Sequence, residues 1–314
     1  MPSKEYYFRN FNPPSADNKL ENMIIIDGKK VASEIRVELK REVDKIKEAG
    51  KSVPGLVTIL VGDNAASKVY VGSKAKACDE IGFLSKIENL PATATEEELL
   101  NVVQSYNLNP DYHGILVQLP LPKQISESNI INSIAPEKDV DGFHPVNVGN
   151  LVIGNDTFFP CTPAGIQELL KRYKIETKGK HVVVVGRSNI VGKPIANILL
   201  QKKEFANAIV TVCHSAAADL KKYTLSADIL IAAIGVPNFI KADMVKEGTV
   251  IVDVGINRVE DSTREKGYRI VGDVDFENVA PKASFITPVP GGVGPMTIAM
   301  LLQNTFKAYL KSGK

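Results

Sequence analysis

The sequence predicts an α/β fold with two domains built on parallel sheets. The chain has 314 residues, about twice the length of a typical single domain. From residue 23 onward, short runs rich in β-branched residues alternate with amphipathic stretches, which is the pattern of β-α-β units. The strand-like runs of the second half are apolar throughout, as expected of strands that helices cover on both faces.

Composition favours small-molecule chemistry. Hydrophobic residues make up 44% and charged residues 24% of the chain, as in globular proteins. The 38 Lys and Arg against 36 Asp and Glu leave a net charge of +2, so no concentrated basic face is expected and nucleic acid is not a predicted partner. No apolar run approaches the roughly 20 residues that span a membrane, and no secretory signal is present. We therefore expect a cytoplasmic protein without a membrane partner.

The cysteines and histidines predict no metal site. Cys78, Cys161 and Cys213 are odd in number and widely spaced, with no C-x-x-C pair. The four histidines never pair at the short spacings that metal-binding segments use. A reducing compartment fits these thiols best.

The first half predicts a tail followed by one α/β series. Residues 1–22 carry Pro, Asn and Ser without periodicity and are predicted to form a flexible tail, after which Met23 opens the first apolar strand. Gly50 is typical of a helix stop, and Thr95 with Glu98 has capping-box spacing. The predicted strands are 56–61 and 115–119, and the predicted helices are 29–49, 64–81 and 95–106.

A linker and a second series follow. Residues 142–161 lack a helical period and are dense in Gly, Asn and Pro, which indicates a connection between domains. Thr162 and Pro163 then predict a helix start, as N-cap and first helical residue. The predicted strands of the second series are 181–185, 209–213, 229–234 and 250–254.

The segment from Val182 to Pro194 passes from a buried strand through a glycine turn into a helix. Such a turn offers backbone N–H groups and a positive helix end to a pyrophosphate. The spacing from Gly186 to Gly192 is G-x-x-x-x-x-G, however, so an ordinary strand-to-helix turn stays an alternative. Within the turn, Arg187 and Ser188 can hydrogen-bond phosphate.

The end of the next strand bears on the choice of dinucleotide. Enzymes that prefer NAD place an acid there to hold the ribose hydroxyls, but residues 211–215 (TVCHS) contain none. With Arg187 nearby, this end suits the 2′-phosphate of NADP. The alternative is that His214 and Ser215 are ordinary loop residues.

Lys74 is anomalous on its helix. At about 100° per residue, it falls near the middle of a mainly apolar face, one turn beyond Tyr70. A lysine there is costly unless it is paired or lies in a cleft, and partial desolvation would lower its pKa towards neutrality. The alternative is a lysine whose stem packs while its ammonium reaches water.

Three further features indicate a site. Gln118 interrupts an apolar strand, where its amide needs a partner, and we expect it to meet Lys74 at the strand end. Residues 138–142 (KDVDG) and 288–297 (PVPGGVGPMT) are also unusual. Asp141 could instead cap a turn, and the glycines of the second segment could simply permit a tight bend. Three glycines in four residues at a helix start nevertheless admit a ligand close to backbone amides.

Five motifs, in order, resemble one family. Residues 70–74 (YVGSK), 117–120 (VQLP), 136–142 (PEKDVDG), 186–188 (GRS) and 288–297 together closely resemble the bifunctional methylenetetrahydrofolate dehydrogenase/cyclohydrolases. The match covers roughly residues 23–311.

The resemblance implies an architecture and two reactions. An N-terminal catalytic domain (23–160), joined by a returning C-terminal helix (295–311), would flank a cleft with a Rossmann-like NADP domain (161–294). A homodimer would form through the cofactor domains. The enzyme would pass hydride from 5,10-methylenetetrahydrofolate to NADP and hydrolyse the methenyl product to 10-formyltetrahydrofolate.

The resemblance also assigns roles. Lys74 matches the catalytic lysine, Gln118 its partner, Tyr70 the aromatic residue that packs on the folate, and Asp141 the acid that grips the pterin. Substrate contacts are expected from Val117, Leu119, Pro290, Gly291, Gly292, Val293 and Gly294, and cofactor contacts from Gly186, Arg187, Ser188, Ser215 and Ile256.

Other functions stay open at this point. An NAD-dependent or monofunctional member of the same family would share these motifs. An amino-acid dehydrogenase with two domains is a more distant alternative, which Asp141 and residues 290–292 argue against. A folate- or nucleotide-binding protein without turnover would not need Lys74, Gln118 and Asp141 together.

Overall fold

Two parallel β-sheets, of three and six strands, organise residues 23–264 and 267–313, the part of the chain that the computed structural model describes. The predicted tail, residues 1–22, lies outside the described residues. In chain order the first half contains β1 (Ile24–Ile25), α1 (Gly28–Glu48), β2 (Gly55–Val61), α2 (Ala65–Ile81), β3 (Leu84–Leu90), α3 (Glu96–Leu108), β4 (Gly114–Val117), α4 (Glu127–Ser133) and α5 (Pro145–Ile153).

Local signals explain where these helices begin and end. The Asp27 side chain accepts the Lys30 N–H and starts α1, and the predicted capping box of Thr95 and Glu98 is present at α3. Helix α2 stops at Gly82, whose φ of 82° lies in the left-handed region that favours glycine. Strands β3, β2 and β4 form the smaller sheet in that order.

The predicted linker contains a helix, α5, which corrects the sequence analysis. The His144 side chain accepts the Val146 N–H, Pro145 fills the first turn, and Gly154 ends the helix with a φ of 83°. The next helix begins at Cys161 with Pro160 as its N-cap, so Thr162 and Pro163 lie inside its first turn instead of starting it.

The second half builds the larger sheet, whose strand order is β1-β11-β8-β7-β5-β6 with every pairing parallel. The apolar strands predicted for this half are confirmed, and β5, β7 and β8 are buried almost throughout. Its elements are α6 (Cys161–Arg172), β5 (His181–Val185), α7 (Gly192–Leu200), β6 (Ile209–Cys213), α8 (Leu220–Thr224), β7 (Ile229–Ala232), β8 (Thr249–Asp253), β9 (Asn257–Glu260), β10 (Tyr268–Val271), α9 (Phe276–Val279), β11 (Ala283–Ile286) and α10 (Val293–Lys311).

Two elements connect the halves. Strand β1 pairs with β11 and so belongs to the sheet of the second half. Helix α10 packs against both α1 and α6, and its Asn304 Nδ2 donates to Val140 O at 2.8 Å and to Phe159 O at 3.0 Å. One apolar core runs through α1, α6 and α10. The predicted two-part α/β architecture is therefore confirmed, with its last helix reaching the first half.

Among the described residues, no helix has the length and apolarity that a membrane crossing requires.

Candidate active site

A cavity of about 640 Å³ is lined by residues from both halves of the chain. Its walls come from α1, α2, the end of β4, the start of α6, the end of β8, β10, residues 288–292 and α10. The predicted residues that line it are Tyr70, Lys74, Gln118, Ile256, Pro290, Gly291, Gly292, Val293 and Gly294.

Helix α2 carries Lys74 to this cavity. The Asn64 side chain accepts the Ser67 N–H at 3.0 Å and fixes the start of the helix. Val71 and Cys78 pack in the core, while Tyr70 stays half exposed and Lys74 is partly buried one turn later. Lys74 therefore lies on the side of α2 that helical periodicity predicts, next to buried residues of the core.

Gln118 is the partner of that lysine. Lys74 Nζ donates to Gln118 Oε1 at 3.0 Å, and Gln118 Nε2 donates to Leu119 O at 2.7 Å. The Gln118 backbone N–H donates to Ile59 O at 2.9 Å, which extends the pairing of β4 with β2 by one residue. Because its amide nitrogen is engaged elsewhere, the side chain presents its oxygen to the ammonium.

Asp141 and Lys74 shift each other's protonation. Burial lowers the pKa of Lys74, and the carboxylate of Asp141 opposes that shift. Burial also raises the pKa of Asp141, while the Lys74 charge and a hydrogen bond from Cys161 act in the other direction. A lysine of lowered pKa next to a carboxyl group can exchange protons nearer to neutral pH than a free lysine.

The turn that presents Asp141 is held by its neighbour Asp139. The buried Asp139 carboxylate accepts the His144 N–H and the Asn147 side-chain amide, each at 2.8 Å. Gly142 has a φ of 73°, and a Cβ there would lie 2.7 Å from Pro160 N. Asp139 thus performs the turn-capping role that the sequence left open for Asp141, and no periodic signal distinguished the two acids.

Three predicted substrate contacts do not line the main cavity. Val117 is buried within β4, and Leu119 lines a separate cavity of about 610 Å³ with Phe143 and Ile190. Asp141 does not line the main cavity, although it couples electrostatically with Lys74. The structure therefore brings most of the predicted substrate set together in the main cavity, but not Val117, Leu119 or Asp141.

The glycine-rich segment closes one wall of the cavity against the start of α1. Lys29 N donates to Gly291 O at 3.0 Å, and a Cβ on Gly28 would overlap Gly292 O. Gly291 has a φ of 116°. A Cβ on Gly294 would sit only 3.6 Å from Ile256, which is ordinary contact. Gly291 is thus needed for its backbone conformation and Gly292 for close packing, since a Cβ on Gly292 would lie 2.6 Å from Pro288 O, whereas Gly294 leaves room at the cavity surface.

The predicted phosphate-binding turn forms between β5 and α7. Gly186 has a φ of 129°, and a Cβ there would overlap Ala233 O, while a Cβ on Gly192 would overlap Gly186 O. The Ser188 hydroxyl accepts the Val191 and Gly192 N–H groups at 3.1 and 3.4 Å. Its own O–H remains available to an anion, and Arg187 beside it is exposed.

Ser215 and Ile256 lie at the same edge of the larger sheet, on opposite sides of this turn. Gly186 N donates to Cys213 O at 2.8 Å, so the exposed Ser215 follows the strand beside the turn. Ile256 follows β8, two strands away on the other side, and is 53% exposed towards the main cavity. A dinucleotide across this edge would run from Ser215, over the turn, to Ile256 beside Lys74.

The sequence analysis missed some cavity residues. Lys29, Thr162 and Asp253 also line the cavity. Asp253 could have been identified from the sequence, because it is an acid at the end of an otherwise apolar strand and is directly followed by Val and Gly.

Comparison with known proteins places the chain among folate enzymes. A family model described as tetrahydrofolate dehydrogenase/cyclohydrolase, catalytic domain, matches residues 26–141, and the NAD(P)-binding domain model of the same family matches residues 160–313. The bifunctional protein FolD of Chloroherpeton thalassium is 59% identical over 289 residues, which are 91% of this chain and 98% of that protein.

Solved structures agree. The bifunctional FolD methylenetetrahydrofolate dehydrogenase/cyclohydrolase of Campylobacter jejuni has a TM-score of 0.87 and 51% identity, covering 92% of this chain and 99% of that one. The Trypanosoma brucei methylenetetrahydrofolate dehydrogenase-cyclohydrolase, solved with NADP cofactor and an inhibitor, has a TM-score of 0.87 and 40% identity, covering 93% and 99%.

Proposed function

The chain belongs to the tetrahydrofolate dehydrogenase/cyclohydrolase family, and on that premise we propose that it carries out both reactions in one cavity. It oxidises 5,10-methylenetetrahydrofolate with NADP and hydrolyses the resulting 5,10-methenyl compound to 10-formyltetrahydrofolate. The observation that carries the proposal is the hydrogen bond between Lys74 and Gln118 inside the cavity that also contains Ile256, at the cofactor edge of the larger sheet.

In the hydrolysis, Lys74 moves protons. Water bonds to the methenyl carbon and passes a proton to the neutral lysine, whose pKa burial lowers. The new hydroxyl group then loses its proton to bulk water as its oxygen becomes the formyl carbonyl, and the bond from the carbon to N5 breaks. N5 takes a proton from the lysine ammonium, so one proton is released overall. Gln118 holds the amine in place throughout, through its oxygen. No histidine is required.

The remaining residues bind and orient. The Tyr70 ring, half exposed beside Lys74, offers a flat face to the folate rings. Asp141 raises the pKa of Lys74 by its charge, and its role in gripping the pterin requires the substrate to extend past the lining of the main cavity. Residues 290–294 cover the substrate from the α10 side. This enclosure limits competing water during the redox step.

The turn after β5 fits NADP. Gly186 and Gly192 allow tight backbone packing, and exposed Arg187, Ser188 and Ser215 surround the place for phosphate groups. Residues 211–215 at the end of β6 contain no acid, which favours the 2′-phosphate over free ribose hydroxyls. NADP, when bound, supplies the hydride acceptor. The chain's own contribution is to align the nicotinamide end at Ile256 with the substrate held near Lys74.

A coupled assay tests both reactions. With methylenetetrahydrofolate and NADP, the purified protein should form NADPH and then 10-formyltetrahydrofolate, and preformed methenyltetrahydrofolate should be hydrolysed without cofactor. NAD in place of NADP should support slower oxidation. Absence of reduction with both cofactors would exclude the dehydrogenase, and reduction without hydrolysis would identify a monofunctional enzyme.

We also propose a homodimer through the second half of the chain. Strand β6 is an edge strand of the larger sheet, and its Ile209 and Val212 are 63% and 40% exposed. An apolar unpaired edge is a surface that proteins cover. Sedimentation equilibrium should give twice the 34.1 kDa chain mass, and Ile209→Lys should shift the protein towards monomer.

We further propose a cytoplasmic location, supported by three free and buried cysteines.

A further inference from the structure

Two buried carboxyl groups lie at the carboxyl edge of the larger sheet. Asp253 ends β8 and is 3% exposed, and Asp273 follows β10 and is fully buried. Asp253 also lines the main cavity. Carboxyl groups are seldom buried like this unless specific hydrogen bonds or a functional role compensate, because their desolvation is costly.

Asp253 fixes the segments on either side of the hairpin formed by β9 and β10. Its Oδ1 accepts the Gly255 N–H and the Asp273 N–H, and its Oδ2 accepts the Val274 N–H, each at 2.9 Å. The start and the end of the hairpin are thus held by one side chain.

Asp273 connects the same region to the loop after β7. Its Oδ2 accepts the Ile234 N–H at 2.6 Å and the Gly235 N–H at 3.0 Å. Its Oδ1 accepts from Asn257 Nδ2 at 2.9 Å. Together, the two acids secure the loops that follow β7, β8 and β10.

Two glycines allow this arrangement. A Cβ on Gly255 would overlap the Asp273 carboxylate, and a Cβ on Gly272 would overlap the Asp253 carboxylate. The proximity of the two acids also has an electrostatic consequence, since burial and then the charge of Asp273 contribute to raising the pKa of Asp253 to about 6.

The segment they clamp carries Ile256. Gly255 is bound through its N–H by Asp253, Asn257 is bound through its side chain by Asp273, and Ile256 projects between them into the cavity. By contrast, the groups proposed for hydrolysis are held from α2, the end of β4 and residues 138–142. None of the hydrogen bonds of Asp253 or Asp273 reaches those elements.

We propose that Asp253 and Asp273 are positioning residues for the hydride-transfer step alone, acting through the Gly255 to Asn257 segment. The proposal rests on the proposed function, because it assumes that Ile256 meets the nicotinamide end of the cofactor. Hydride transfer is sensitive to donor–acceptor distance, so a displacement of this segment by about 1 Å should slow oxidation strongly. Hydrolysis of the methenyl compound needs no cofactor and should not respond.

The test compares both activities in Asp273→Asn, with Asp275→Asn as the matched control. Asp275 lies two residues away and makes exposed hydrogen bonds to Asn278 and Lys241. Asp273→Asn should lower the dehydrogenase kcat by at least about tenfold, leave hydrolysis within about twofold, and increase the deuterium isotope effect with methylene-deuterated substrate. Asp275→Asn should change none of these.

Asn257→Ala provides a second route if Asp273→Asn folds poorly. It removes only the side-chain link to Asp273 and leaves both acids in place. The same selective loss of oxidation, with a larger isotope effect, is expected. Equal losses of both activities, or unchanged oxidation, would overturn the proposal. A wild-type protein lacking either activity would instead refute the proposed function, so the two failures are distinguishable.

Discussion

Lys74 Nζ donates a hydrogen bond of 3.0 Å to Gln118 Oε1, joining the middle of α2 to the residue after β4. The pair therefore depends on the packing of α2 against the smaller sheet. Lys74 lies on the mainly apolar face of α2, and Gln118 directly follows the apolar strand β4. The predictions below begin with this contact.

Replacing Lys74 with Met should abolish hydrolysis and preserve cofactor binding. The substitution keeps an apolar stem but removes the group that transfers protons, so we expect the rate to fall at least about 100-fold. Hydrolysis is followed by methenyl absorbance, and NADP binding by calorimetry. Lys76→Met, on the exposed side of the same helix, is the control. Unchanged hydrolysis in Lys74→Met would remove the lysine from the mechanism.

Replacing Asp141 with Asn should lower the pKa of Lys74 further. The carboxylate is the main group that opposes the effect of burial on this lysine, and its loss leaves desolvation unbalanced. The pH dependence of Lys74 acetylation, measured by mass spectrometry, should move to lower pH. Lys76 in the same sample provides the reference. A shift of the Lys74 profile to higher pH would contradict the coupling.

Arg187→Ala should weaken NADP much more than NAD. A charge-assisted hydrogen bond to the 2′-phosphate is worth about 1.5–3 kcal/mol, which corresponds to roughly a 10- to 100-fold increase in Kd for NADP. Arg41→Ala, an exposed arginine of α1, should leave both Kd values unchanged. Equal losses for NAD and NADP would exclude a role in 2′-phosphate recognition.

Gly186→Ala should separate the two activities by damaging the cofactor turn. The added Cβ would overlap Ala233 O at a residue whose φ is 129°, so the turn must shift. We expect the Kd for NADP to rise by more than about tenfold while hydrolysis continues. Gly149→Ala in α5, where no atom lies within 4 Å of the new Cβ, is the control. Normal NADP affinity in Gly186→Ala would argue against this turn as the phosphate site.

Asp253 should make the free energy of unfolding depend on pH. Its pKa is raised from 3.8 to about 6 in the folded chain, so the folded state holds this proton more tightly than the unfolded state. The resulting stabilisation is complete below the unfolded value and is lost as pH rises through about 6. Relative to Asp253→Asn, wild-type stability should fall by about 2 kcal/mol between pH 4 and pH 7. Urea unfolding at several pH values measures the difference, and a constant difference would show that Asp253 does not titrate in this range.

The sequence predicted most strands and helices because their apolar periodicity is local. It missed β3, whose residues alternate between exposed and partly buried and include Lys86 and Glu88, as suits an edge strand. It also missed α5, because a short helix in a segment rich in Gly and Asn depends on capping by His144 and Pro145 more than on an apolar stripe.

The sequence indicated cavity residues where a side chain differed in polarity from its surroundings in the same element. Lys74 and Gln118 are polar groups on apolar surfaces, and each was identified for that reason. Val117 and Leu119 were predicted from the VQLP motif of the family resemblance. In the structure Val117 is the last residue of the buried strand β4, and Leu119 lines a different cavity. The contacts of Asp139 and Asp273 are with residues several to many positions away along the chain, such as Asn147 and Ile234, and no local pattern reports them.

Helix α10 is made after every other described element but belongs to the core next to α1. Its 19 residues are the last described element of the chain, yet they pack in the core next to α1. Asn304 of this helix also donates a hydrogen bond to the carbonyl of Val140, the residue before Asp141. A nascent chain emerging from the ribosome can therefore form the smaller sheet early, but the wall that α10 supplies is missing until residues 293–311 have also emerged. A truncation before residue 293 should accordingly leave an N-terminal portion that binds chaperones and is cleaved rapidly by proteases, although every residue proposed for proton transfer is present in it.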